Sequence, residues 1–187
     1  MTDEPPKTPG FFRLPKDTWA AIASLSGVAA ILTLIFGVMQ YSGKLESDRA
    51  KQTLDFVAEW REKGYRDHFR ALAAMAEAEI QLHLSDEDPA HLQESEDAQR
   101  KAAAKISKLV IQKNPTAATS LDEVVYFFNL VGLCVEAKLC SKKTAKDFFD
   151  STLVDFYDIF ESQIVEIQKT QPDYASGMID LVGEFRD

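Results

Sequence analysis

The chain has 187 residues, 45% of them hydrophobic, and a formal net charge of -9 at pH 7. This composition is globular and not disordered, and the length suits one ordinary domain. Basic and acidic residues cancel before position 42, so the whole net charge lies on residues 42–187, and an acidic surface of this kind repels nucleic acid.

The first predicted element is a transmembrane helix at residues 18–43, preceded by a polar, proline-rich tail at residues 1–17 that we expect to be flexible. No charged residue occurs in 18–43, and a helix of that length spans about 39 Å, more than the ~30 Å hydrocarbon core. A cleavable signal peptide would have a shorter apolar run, and a buried helix of a soluble protein is rarely apolar on every face.

Residues within and beside the predicted span indicate how it meets the membrane. Aromatic and basic residues at its ends predict the two interfaces: Trp19, Tyr41, Lys16 and Lys44. A stripe of small residues predicts close packing against another membrane protein or a second copy, although such residues are common in any span. The stripe comprises Ala20, Ala23, Gly27, Ala30 and Gly37.

The orientation of the span is predicted from the basic residues on its two sides. The counts nearest the span are equal, and a longer count favours the C-terminal side as the cytoplasmic one. The sequence therefore predicts a single-pass protein of the inner (cytoplasmic) membrane with a cytoplasmic C-terminal domain. Four basic residues just beyond the span could contact lipid headgroups or an acidic partner, or pair with the domain's own acids. They are Arg61, Lys63, Arg66 and Arg70.

The remainder of the chain predicts an all-α fold: one N-terminal transmembrane helix plus a soluble helical bundle. A helical stalk at residues 44–63 ends before Gly64, and residues 64–187 form the helical domain. Helical spacing of apolar residues predicts helices at 65–82, 91–113, 121–138 and 142–169 and a short closing helix near 178–185. The helix at 121–138 is apolar almost all round and should be the most buried. Ser120 and Glu123 have the spacing of a capping box at its start.

Three stretches of this domain are similar to a known family. They are residues 53–72, with a tryptophan followed by basic residues; residues 124–149, an aromatic-rich helix, a turn and a helix start; and residues 155–164 with the closing 174–185. The chain resembles a bacterial family of small, single-span membrane proteins defined by a domain of unknown function, family 4760. The resemblance implies architecture for residues 45–187 and no particular activity.

Residue types that could support chemistry give weak signals. Cys134 and Cys140, six apart, would lie on nearly opposite faces of one helix, so we expect two small, partly buried hydrophobic residues. A disulfide between them would require the helix to break near residues 138–141. His68 has no catalytic partner nearby in sequence. An acidic segment could bind a divalent cation weakly but matches no known metal loop, so a solvated connection is favoured. It contains His83, Asp86, Glu87, Asp88, His91 and Glu94.

The sequence therefore predicts no catalytic, cofactor-binding or metal-binding residue, no cofactor and no enzyme activity. The favoured function is a membrane-anchored, non-enzymatic interaction protein, an accessory or scaffold subunit of a membrane protein complex. Its expected partners are the lipid bilayer and another membrane protein or a second copy. One alternative is an oligomerising membrane sensor or effector in a stress or phage-defence pathway. The other is a weak metal-binding or enzymatic domain.

Overall fold

A computed structural model describes residues 16–83 and 96–187, with side chains described for residues 38–82 and 97–187. This part of the chain contains six helices and no strand, which confirms the all-α prediction. The helices are α1 (Lys16–Glu62), α2 (Tyr65–His83), α3 (Glu96–Lys113), α4 (Ala117–Glu136), α5 (Lys142–Gln168) and α6 (Ser176–Arg186).

The predicted span and stalk belong to one helix, α1. This helix ends at Glu62, and Gly64 follows with a φ of 84°, a left-handed conformation that glycine adopts without steric cost. The predicted break at Gly64 is therefore confirmed. Along the chain, residues 1–45 and residues 46–187 form two compact units.

In the first unit, the described side chains from residue 38 onward are all exposed. Among them Val38 is 63% exposed, Met39 67% and Tyr41 72%. Side chains are not described for residues 18–37, which make up most of the predicted span.

The second unit is a helical bundle built around an aromatic cluster. The Trp60 ring of α1 lies 4.8 Å from the Phe127 ring, 5.2 Å from that of Phe128 and 6.0 Å from that of Phe149. Phe127 and Phe128 are fully buried, and burying one such side chain is worth roughly 1.5–3 kcal/mol. Trp60, which follows the end of the predicted span by seventeen residues, therefore belongs to the bundle core.

Helix α4 is the core helix, with eleven buried residues, as its apolar sequence predicts. Within the part of the chain whose side chains are described, it is also the one helix long and apolar enough to cross a membrane, and half of its most apolar stretch is buried within the protein. The core helix of a soluble domain has the same properties, so this finding identifies no membrane span.

Helices α4 and α6 approach each other through two glycines. A Cβ placed on Gly132 would lie 1.8 Å from the carbonyl oxygen of Gly177, and one on Gly177 would lie 2.9 Å from the carbonyl oxygen of Asn129. The side chain of Asn129 accepts a hydrogen bond from the Gly177 amide at 2.8 Å. The absence of both side chains is what allows this backbone contact.

The predicted capping box at the start of α4 is wrong. The helix begins at Ala117, with Thr116 at the N-cap making no side-chain cap bond, so Ser120 lies inside its first turn. The Ser120 hydroxyl instead hydrogen-bonds the Nδ1 atom of His68 on α2 at 3.0 Å. A contact to another helix therefore replaces the local capping contact expected from spacing alone.

Candidate functional site

The turn between α4 and α5, residues 137–141, is attached to α1 by three hydrogen bonds. The Ser141 amide donates to Thr53 Oγ1 at 2.9 Å, and the Ser141 hydroxyl donates to Glu46 Oε1 at 2.7 Å. Arg49 Nε donates to the carbonyl oxygen of Lys138 at 2.7 Å. The three α1 residues lie on one face at helical spacing. The α4–α5 turn is thus fixed to the first two turns of the second unit.

The prediction of two unbridged cysteines is wrong, because Cys134 and Cys140 form a disulfide. Their Cα atoms lie 5.2 Å apart, although the residues are six apart in sequence. The helix ends at Glu136 and the chain reverses through Lys138, whose φ is 57°. The amides of Leu139 and Cys140 both donate to the Cys134 carbonyl oxygen at 3.0 Å. This reversal meets the condition set by the sequence, a helix break near residues 138–141.

The outer surface of the α4–α5 turn combines an apolar tip with lysines. Leu139 is 58% exposed, and Lys138 is also exposed. Lys142 and Lys143 follow at the exposed start of α5, where they form ion pairs with Glu184 at 3.4 Å and Asp147 at 2.8 Å. Residues 136–147 contain four lysines and two acidic residues in a chain of net charge -9. The turn is therefore a lysine-rich, partly apolar surface on an acidic protein, and two of its lysines are paired with acidic side chains.

The site residues predicted for the span fall largely outside the described side chains. Side chains are not described for Lys16, Trp19 or any residue of the small-residue stripe. These residues belong to α1, and the structure gives only their positions along that helix. Tyr41 and Lys44 are described, and both are exposed.

The four basic residues predicted as a headgroup or partner contact lie where α1 meets α2. All four are exposed: Arg61, Lys63, Arg66 and Arg70. Lys63 Nζ lies 2.8 Å from Glu59 Oε1, and this hydrogen bond raises the pKa of Lys63. One of the four is therefore paired within its own chain, in line with one of the two interpretations left open by the sequence.

The acidic, histidine-containing segment lies outside the described side chains. Elsewhere in the part of the chain that the structure describes, no group of three or more His, Cys, Asp or Glu side chains is placed to hold a metal ion. The described residues thus offer no metal centre to test.

A serine and a histidine in contact could serve as nucleophile and base. His68 and Ser120 are such a pair, but Ser120 is only 5% exposed and no described groove includes it. The hydrogen bond between α2 and α4 therefore satisfies two polar groups inside the bundle. A second such contact joins α2 to α3, where Lys113 Nζ lies 2.7 Å from the buried Glu79 carboxylate. Both pairs have a structural explanation.

One surface groove, of about 440 Å³, lies between α3, α5 and the end of α6. Two of its charged groups are paired with each other: the Arg186 guanidinium forms an ion pair with Asp158 and lies 5.6 Å from the centre of the Tyr157 ring. Burial raises the pKa of Tyr157, and the nearby Glu161 adds to this effect. The ion pair and the raised pKa of Tyr157 both have causes within the fold, and the groove indicates no particular ligand.

By its fold the protein is an all-α helical bundle over residues 46–187. The chain belongs to a family described as a domain of unknown function (DUF4760), whose model matches residues 20–182. This match confirms the predicted family of the domain. No curated protein and no solved structure shows a significant match to the chain.

Sequence reasoning missed the α4–α5 turn as a surface feature. One signal for it was present: Ser141 lies directly before the α5 start and caps it, accepting from the Thr144 amide at 3.4 Å. The contacts of the turn with α1 join residues 88 to 95 positions apart, and no local pattern encodes such pairs.

Proposed function

We propose that this chain is a single-span, membrane-anchored interaction protein, an accessory or scaffold subunit of a membrane protein complex. The observation that carries the proposal is α1: a helix that includes the charge-free residues 18–43 and continues into the core of the bundle at Trp60. The exposed apolar side chains at its described start, residues 38–41, support a lipid environment for this segment, because contiguous apolar surface in water is costly.

A docking surface for a partner is supported by helix α4. Tyr126 and Leu133 lie seven residues apart on one face of this helix and are 54% and 42% exposed. Large apolar side chains, tyrosine in particular, are enriched in protein interfaces. The acidic net charge disfavours nucleic acid, so we propose a protein partner for this face.

Co-purification of the full-length protein tests the proposal. The tagged chain is extracted from its native membrane in a mild detergent, and its partners are identified by mass spectrometry. A stoichiometric membrane protein is the expected result. A chain that is recovered alone, or that does not fractionate with membranes, would contradict the accessory-subunit function.

A pair of variants tests the small-residue stripe of the span as a contact surface. Gly27→Leu adds bulk to the small-residue stripe, and Ala29→Leu adds the same residue about 200° away around the helix. We expect Gly27→Leu to weaken association through the span and Ala29→Leu to leave it unchanged. Equal partner recovery with both variants would show that the stripe is not an interface.

The orientation of the domain is a separate proposal. The charge count near the span favours a cytoplasmic domain by a small margin, whereas the Cys134–Cys140 disulfide favours an oxidising compartment, because cytosolic disulfides are rare. We propose that the domain lies on the oxidising side of the membrane. Alkaline phosphatase fused after Asp187 should then be active and a fluorescent-protein fusion dark. The reverse pattern would restore the cytoplasmic orientation.

A further inference from the structure

We propose that the α4–α5 turn is a membrane-surface contact that binds anionic phospholipid, with Leu139 entering the headgroup region and the flanking lysines binding phosphate. The inference rests on the proposed membrane anchor. Its occupant is the bilayer and not a protein.

Position along the chain is the first argument. The turn is hydrogen-bonded to Glu46, Arg49 and Thr53 of α1, and the charge-free run ends at Gly43, three residues before the first of them. The turn is therefore bonded to residues that follow the end of the proposed span within ten positions along the chain.

The chemistry of the turn fits that surface. Leu139 is 58% exposed at the tip, and its neighbours Lys138, Lys142 and Lys143 are exposed as well. Lysine side chains pack their alkyl stems along apolar surface while the ammonium groups reach the headgroups. Apolar residues flanked by lysines bind anionic membranes through both contributions.

Charge complementarity favours anionic lipid over a neutral surface. Residues 136–147 contain four lysines and two acidic residues, and Arg49, Glu46 and Glu184 contact them, so this region is slightly basic on a chain that carries -9. An anionic membrane attracts this region and repels the rest of the acidic domain, so the turn is the part that such a surface draws toward itself.

The turn is also held in shape before any contact. The Cys134–Cys140 disulfide closes it, two amides of the turn donate to the Cys134 carbonyl, and Ser141 fixes it to α1. A preorganised loop loses little conformational entropy when it binds.

The test uses the full-length protein in lipid nanodiscs with a tryptophan at the tip. In a Trp19→Phe background, Leu139→Trp is compared with Val165→Trp, which replaces a residue that is 45% exposed. Val165 lies on α5, about 33 Å along the helix from Lys143. The Trp19→Phe background retains Trp60, and its emission, measured in that background alone, is subtracted from both variants. Brominated phospholipid should then quench most of the remaining Leu139→Trp emission in discs containing phosphatidylglycerol and leave the Val165→Trp emission unchanged. Quenching should fall in phosphatidylcholine discs and in the variant Lys138→Gln, Lys142→Gln, Lys143→Gln.

Each other outcome overturns the inference in a distinct way. Equal, unquenched emission from both tryptophans, with the protein incorporated in the discs, refutes the membrane contact and leaves the anchor intact. Emission from Leu139→Trp that shifts to the blue only as the protein concentration rises, without quenching, identifies a protein contact instead. A chain that does not incorporate into discs refutes the anchor itself.

Discussion

Replacing Gly132 by alanine tests the closest helix contact in the bundle. The new Cβ would lie 1.8 Å from the Gly177 carbonyl oxygen and 2.4 Å from its carbonyl carbon, and both are backbone atoms that no rotamer change can move. Helices α4 and α6 must therefore separate. Overpacking of a core costs about 1–3 kcal/mol and occasionally more, and alanine in place of glycine returns about 1 kcal/mol of helix propensity. Because the 1.8 Å approach is far shorter than van der Waals contact, we take the upper end of that range, about 3 kcal/mol, and expect a net loss of about 2 kcal/mol.

Gly183→Ala is the matched control. Gly183 lies within a helix, α6, as Gly132 lies within α4, but a Cβ on Gly183 would meet nothing within 4 Å. This variant should gain roughly 0.5–1 kcal/mol. In thermal unfolding of the full-length protein in detergent, followed by circular dichroism, Gly132→Ala should lower the Tm by about 4–8 °C and Gly183→Ala should raise it slightly. If both variants raise the Tm, the close contact between α4 and α6 is refuted.

Two further predictions concern the disulfide and a buried phenol. The double variant Cys134→Ala, Cys140→Ala should destabilise the protein by about 2 kcal/mol, because the unfolded chain regains the entropy lost on closing a short loop. The same variant should abolish the effect of dithiothreitol on the unfolding midpoint. A wild-type midpoint that does not respond to dithiothreitol would contradict this prediction. Burial, and then the hydrogen bond to Asp122, raises the pKa of Tyr174 above its ordinary value. Because the folded state holds this proton more tightly than the unfolded state, the stabilisation is present below about pH 10 and is lost as the pH rises further. Urea midpoints at pH 8 and pH 11 should therefore differ less for Tyr174→Phe than for the wild type, and an unchanged difference would refute the linkage.

The helices of this protein could be predicted because their signals are local. The apolar spacing of α5, the glycine at position 64 and the nearly all-apolar α4 each specify an element within a short window. The contacts that set the α4–α5 turn could not be predicted, because they join Ser141 to Glu46 and Thr53 across most of the domain. The cysteine pair was misjudged for the same reason. Its spacing was read on a continuous helix, and the helix ends between the two residues at Glu136.

For the candidate site, the sequence identified the residue types and not their arrangement. The lysines at 138, 142 and 143 are visible in the sequence, but their common surface depends on the chain reversal at Lys138. His68, for which the sequence indicates no catalytic partner nearby, hydrogen-bonds the buried Ser120 across 52 positions, a contact that no local pattern predicts.

The contacts of Glu46, Arg49 and Thr53 have a mechanical consequence. All three lie on one face of α1 within two helical turns, and each forms a hydrogen bond with a different atom of the α4–α5 turn. Turning the helix by a single residue, about 100°, would carry the whole face away from the loop and break three bonds at once. Residues 46–62 therefore resist torsion as a rigid part of the bundle, and a twist applied at residue 46 would be passed directly to the disulfide-closed loop.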